Sequence, residues 1–148
     1  MRYATRKQIV TAVLVLSAVV AVLAHVTVSP GESKLGASER YTVRVPTEGQ
    51  VATTGVDLDV PEGVTLSGVL AVGGWTSEMR KEGGRVVGVS WKVEIPPAQF
   101  GELVFTARNP GEGTQILWKV RQKFADGTSR DWTSATKLVA AGGVRSVI

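Results

Sequence analysis

Residues 85–96 read RVVGVSWKVEIP, with Val87, Val89, Trp91, Val93 and Ile95 at every second position. Successive side chains of an extended chain point to opposite faces. The run therefore has one apolar face and one face of Gly88, Ser90, Lys92 and Glu94. A helix would scatter the same residues around its circumference. The stretch reads as a half-buried strand, and the fold class depends on how many neighbours share its period.

Upstream, RYTVRVP (40–46) places Tyr41, Val43 and Val45 on one face and Thr42 and Arg44 on the other. TGVDLDVP (54–61) places Val56, Leu58 and Val60 opposite Asp57 and Asp59. HVTV (25–28) alternates as well, and TLSGVL (65–70) does so more weakly. Downstream, ELVFTAR (102–108) follows PPAQFG, TQILWKVRQKF (114–124) is a long strand ended by ADGT, and SRDWTSATKLVA (129–140) supplies the last one or two. Pro46, Pro61, Pro96 and Pro110 fall at strand ends, where they cost no ladder hydrogen bond. Glycines cluster in the connections EGG (82–84), PGEG (110–113) and DG (126–127). No amphipathic helix and no internal repeat interrupts this pattern. It predicts a single all-β domain over residues 25–140, an antiparallel β-sandwich of seven to nine strands, immunoglobulin-like in the loose sense. The paired cysteines of antibody domains are missing, because the chain has no cysteine. That also excludes thiolate metal sites and a cysteine nucleophile.

The chain opens with the basic MRYATRKQ, followed by the apolar IVTAVLVLSAVVAVLA (9–24), which ends in small residues. This is the layout of a secretory signal peptide over residues 1–24, cut between Ala24 and His25. The alternative is an uncleaved anchor, although the run is shorter than the roughly 20 residues of a spanning helix. The net charge of +4 is largely a property of this segment. Arg2, Arg6 and Lys7 lie in it and no acid does, which leaves 14 Lys and Arg against 13 Asp and Glu from His25 onward. Nothing in that balance argues for nucleic acid. Residues 141–148, AGGVRSVI, read as a loose tail.

Enzyme constellations are missing. His25 is the single histidine and would be the only base for a Ser–His–Asp triad, with no nucleophile elbow beside it. No phosphate-binding loop or dinucleotide fingerprint occurs. Asp57 and Asp59 read as a solvated strand face. His25 differs because of the predicted cut, which would make it the mature N-terminus. Its α-amine, with an ordinary pKa of about 7.7–8.0, and its Nδ1 could then chelate one metal ion. Two such nitrogens suit Cu(II), which favours tetragonal N/O donor sets. With no second histidine, the remaining ligand must be oxygen, from a carboxylate or water. Trp91 and Trp118 fall within alternating strands and read as core. Trp75 reads as a loop or edge residue, and Trp132 lies among polar residues, of interest only if it sits over a metal.

The mature start AHVTVSPGES, then ERYTVRVPTEGQVATTGVDLDVPEGV, GW, FTARNPGEG and KFADGTSRDWTS together resemble the YcnI-like family of secreted bacterial copper-binding proteins. The similarity runs from His25 to about Thr133, in the family's order. It implies an immunoglobulin- or cupredoxin-like sandwich and a mononuclear Cu(II) site of the single-histidine-brace type. On that resemblance the amine and imidazole come from His25, the carboxylate from Glu48 in VPTE, and a neighbouring indole from Trp132. Glu32 in PGES is the competing carboxylate by proximity in sequence. Family members often continue into a C-terminal membrane anchor. With none before Ile148, the expectation is release after cleavage or retention by an uncleaved N-terminus.

The expected function is thus an extracytoplasmic Cu(II) carrier or chaperone in copper homeostasis, not an enzyme. Its partner would be a membrane-bound copper transporter or another copper-handling protein. The alternative is a metal-free extracytoplasmic interaction module of the same fold.

Overall fold

The computed structural model describes residues 25–141. The expected targeting segment 1–24, and the tail beyond residue 141, lie outside the described residues. Ten strands follow in order: β1 (Thr27–Ser29), β2 (Glu32–Lys34), β3 (Ser38–Pro46), β4 (Thr53–Asp59), β5 (Thr65–Val69), β6 (Thr76–Glu82), β7 (Arg85–Ile95), β8 (Phe100–Arg108), β9 (Gln115–Phe124) and β10 (Ser129–Val139). One sheet has the order β1-β3-β8-β5 and the other β2-β10-β9-β4-β7-β6. Neighbours pair antiparallel except β2 and β10, which run parallel. The β-sandwich read from the alternation is present. Among the described residues no helix is long and apolar enough to cross a membrane.

The two inner faces interdigitate as their period dictates. Tyr41, Val43 and Val45 of β3 and Leu103, Phe105 and Ala107 of β8 meet Val56 and Leu58 of β4, Val89 and Trp91 of β7, and Ile116, Trp118 and Val120 of β9. Tyr41, Phe105 and Trp118 form an aromatic centre with ring centroids 5.0–5.4 Å apart. Both polar handles of that centre are satisfied. The Tyr41 hydroxyl donates to Asn109 Oδ1, and Trp118 Nε1 donates to Thr136 Oγ1 at 3.0 Å.

The ten strands exceed the seven to nine expected, and the two that the alternation did not single out, β2 and β6, each lack the signal that would have shown them. β2 is three residues long with a polar sequence, ESK. β6 is exposed along its whole length, so neither face is apolar and no alternation exists to read. It joins β7 through Gly83–Gly84, both at positive φ (59° and 79°), the backbone a two-residue hairpin turn requires. The opening stretch also departs from strict period at one place. Arg80 pairs with Gly88 but Lys81 pairs with Val86, leaving Val87 as an extra, bulged residue. Val86, rather than Val87, therefore packs against the core.

Candidate metal centre

His25 stands just ahead of β1, on a segment held from both sides. Val26 and Val28 are buried in the core, at 2% and 3% exposure. On one side β1 pairs with β3, Thr27 opposite Arg44. Continuing that antiparallel register backward brings His25 beside the Pro46 end of β3, and Glu48 follows in the loop to β4. On the other side Ser134 of β10 accepts from Val28 N at 3.0 Å, and Thr136 donates to the Pro30 carbonyl at 2.8 Å. Trp132, Ser134, Thr136 and Leu138 alternate along the inner face of β10. The two hydroxyls stitch the entering chain to the strand, and Trp132 is the next inner residue toward His25. The His25 and Trp132 rings meet edge-to-face, with centroids 5.2 Å apart and planes at 67°.

His25, Glu48, Gly49, Arg130 and Trp132 line one open pocket of about 470 Å³. The structure therefore brings together the three residues singled out by sequence. Glu32 is not among them. It sits in β2 opposite Lys137, roughly 17 Å along β10 from Trp132 at the usual rise per residue. Arg130 was not anticipated. It precedes Trp132 by two residues, on the same face, and its guanidinium carbon lies 4.8 Å from the indole centroid. It takes part in none of the three salt bridges found among the described residues. With the Glu48 carboxylate it balances the formal charge of the pocket.

Beneath the pocket lies a second unanticipated feature. Trp132 Nε1 donates to Gln122 Oε1 at 3.0 Å. Gln122 Nε2 donates to the Pro46 carbonyl at 2.9 Å and to Thr53 Oγ1 at 2.8 Å. Thr53 and Thr47 hydroxyls are 2.6 Å apart, and Thr47 Oγ1 donates to the Ile95 carbonyl at 2.9 Å. Thr47 has a single hydroxyl proton, so Thr53 must be the donor between the two threonines. The chain of bonds thus runs one way, from Trp132 through Gln122, Thr53 and Thr47 to Ile95. Among the described residues no buried side-chain nitrogen or oxygen lacks a partner.

The donor set decides what the pocket could hold. Its side chains offer one imidazole and one carboxylate, and no cluster of three or more His, Cys, Asp or Glu suited to a metal exists among the described residues. A tightly held Cu(II) needs a further donor. The His25 α-nitrogen is adjacent, but it is a peptide nitrogen in the uncut chain and becomes a donor only once the Ala24–His25 bond is broken. The residues fit Cu(II) on that condition.

A second group of ionisable residues lies on the outer face of the six-stranded sheet. There Asp57 pairs with Lys123 at 2.8 Å, Asp59 with Arg80 at 3.3 Å and Asp131 with Arg121 at 2.8 Å. Burial alone would raise the Asp57 carboxyl, but bonds from Lys123 and Ser90 outweigh it and hold the group below the usual carboxylate range. The Arg121 hydrogen bond does the same for Asp131. Each of these three acids has a cation partner, the arrangement of a charged outer strand face.

The model of a family described as a domain of unknown function, DUF1775, matches residues 25–143. The chain belongs to the DUF1775 family. This bears out the YcnI-like resemblance, and the matched region opens on His25. A curated relative, Copper-binding protein CutI of Bacillus subtilis (strain 168), is 34% identical over 113 residues. The match covers 74% of this chain and 55% of CutI, so the chain spans about half the length of that relative. Among solved structures, an uncharacterised protein from Nocardia farcinica with an immunoglobulin-like fold superposes with a TM-score of 0.71 at 21% identity, over 79% of this chain and 99% of that one. A cohesin module of a Clostridium perfringens family 33 glycoside hydrolase reaches 0.55 at 11% identity, over 80% and 99%. At these identities the likeness is one of fold, and it places this DUF1775 member among immunoglobulin-like sandwiches.

Proposed function

We propose that the protein is an extracytoplasmic Cu(II)-binding carrier, a copper chaperone in copper homeostasis, with copper as its cargo. The observation that carries this reading is the convergence of His25, Glu48 and Trp132, distant in sequence, on one open pocket. The name of the CutI relative supports the choice of metal. The basic and apolar segment before His25, and a family match that begins at His25, support export and cleavage there. In this reading the freed amine and the imidazole of His25 close a chelate ring, and Glu48 supplies an anionic oxygen. Trp132 covers one side, while the open side of the pocket leaves room for exchange with a partner. That partner would be a membrane-bound copper transporter or another copper-handling protein. A pocket with one imidazole and one carboxylate suits holding and handing over an ion better than catalysing a reaction with it.

The test is Cu(II) titration of a chain that begins at His25, beside the same chain with its His25 α-amine acetylated. Acetylation turns the α-nitrogen back into an amide and brings no second amine, and affinity is expected to fall by at least tenfold. Equal affinity would remove the amine from the ligand set. No binding by either chain would leave a metal-free interaction module of the same fold.

A further inference from the structure

Gln122 occupies an inner position of β9, in line with Ile116, Trp118 and Val120, where an apolar residue is the default. It is only 2% exposed. A buried amide is costly unless its hydrogen-bonding groups are satisfied. Here both Nε2 protons and the Oε1 atom are engaged. The partners fix the amide's orientation. An indole N–H can only donate, so the oxygen must face Trp132, which turns the Nε2 donors toward Pro46 and Thr53. The far ends of these bonds are the two sides of the pocket. Pro46 lies two residues before Glu48, and Thr53 passes the chain on to Thr47, the residue next to Glu48. Thr47 is pinned again through its backbone, N to the Gln99 carbonyl at 2.9 Å and its own carbonyl to Ala98 N at 3.0 Å. Glu48 therefore leaves from fixed backbone, and the fixing runs through the same amide that holds the Trp132 ring.

We infer that Gln122 is a positioning residue for the copper pocket, setting the Glu48 side against the Trp132 and His25 side before any metal arrives. The inference rests on the copper reading above. No other common side chain does the same work. Glutamate at this position could accept from Trp132 but would turn an acceptor toward the Pro46 carbonyl. Methionine would fill the space and bond to none of the three. Groups that orient metal ligands from behind typically account for about 10–100-fold in metal affinity.

The experiment uses the chain beginning at His25, with Cu(II) as the probe. Wild type, Gln122→Met, Thr53→Val and Thr53→Ser are compared. Three quantities are read: Cu(II) affinity by chelator competition, the Cu(II) EPR spectrum, and hydrogen-exchange protection of the Trp132 indole N–H in the metal-free protein. Gln122→Met is expected to lose indole protection, weaken Cu(II) about 10–100-fold and shift the EPR parameters. Thr53→Val breaks the chain without touching the pocket and guards against failure of the first variant to fold. It is expected to weaken Cu(II) in the same direction, and Thr53→Ser, which keeps the hydroxyl, to restore it. Wild-type affinity and an unchanged EPR spectrum in folded Gln122→Met or Thr53→Val would overturn the assignment. A wild type that binds no Cu(II) while keeping its indole protection would overturn the copper reading, and with it the ligand that Gln122 serves.

Discussion

Trp132 has separate tasks for its edge and its ring. The Nε1 edge points inward to Gln122, while the ring meets His25 and lies beneath Arg130. Trp132→Phe would keep most of the ring but leave Gln122 Oε1 buried without a donor, at a cost of about 1–3 kcal/mol. Urea unfolding measures it, and an unchanged midpoint would mean that the bond contributes nothing. Glu48 is the opposite case, exposed in a loop. Glu48→Gln is expected to change stability by less than about 0.5 kcal/mol. It should still weaken Cu(II) at least tenfold, because a neutral amide replaces the anionic oxygen; chelator competition checks this. His25, Glu48 and Trp132 were legible in the chain because each sits in a recognisable local string. Gln122 and Arg130 were not. The partners of Gln122 come from β3, β4 and β10, and in one sequence it is only a polar interruption of an apolar face.

At the level of elements, alternation was readable where the buried face is apolar and unreadable where it is polar or absent. β3, β4, β7 and β9 carried their period openly. β6 did not, being exposed throughout, and the Val87 bulge shifted the inner face by one residue. β10 is the instructive strand, because its inner residues Ser134 and Thr136 are polar and yet face the sandwich. Their hydroxyls bond the backbone of the entering chain, a role that no residue scale reveals. Ser134→Ala removes the acceptor for Val28 N and should cost about 1–3 kcal/mol. Amide exchange at Val28 is expected to speed up well before global unfolding. At the start of β8, Gly101 lies where a Cβ would come within 2.8 Å of Ile95 Cδ1 and 2.9 Å of Trp75 Cη2. Gly101→Ala therefore overpacks this end of the core and is expected to destabilise by about 1–3 kcal/mol, seen as a lower urea midpoint.

For the whole molecule, the charge left outside the N-terminal segment is close to balanced, and the dependence of stability on pH comes from particular groups. Burial raises the Tyr41 hydroxyl above its ordinary value, which is about 10. The unfolded chain then loses that proton first. The contribution is complete below about pH 10 and disappears as pH rises through the folded value. Asp57 is lowered, so its contribution is complete above about pH 4 and disappears as pH falls through the folded value. Urea midpoints should thus be flat across neutrality and fall at both extremes, and Tyr41→Phe should remove the alkaline fall from a less stable protein. The segment Val26–Pro30 carries a last consequence. Exopeptidases work on ends that can be drawn out into their own clefts. A terminus freed at His25 would be followed at once by buried Val26, then by a strand paired to β3 and bonded to Ser134. Such an end resists trimming, and His25 would stay in place wherever exopeptidases have access to the folded chain.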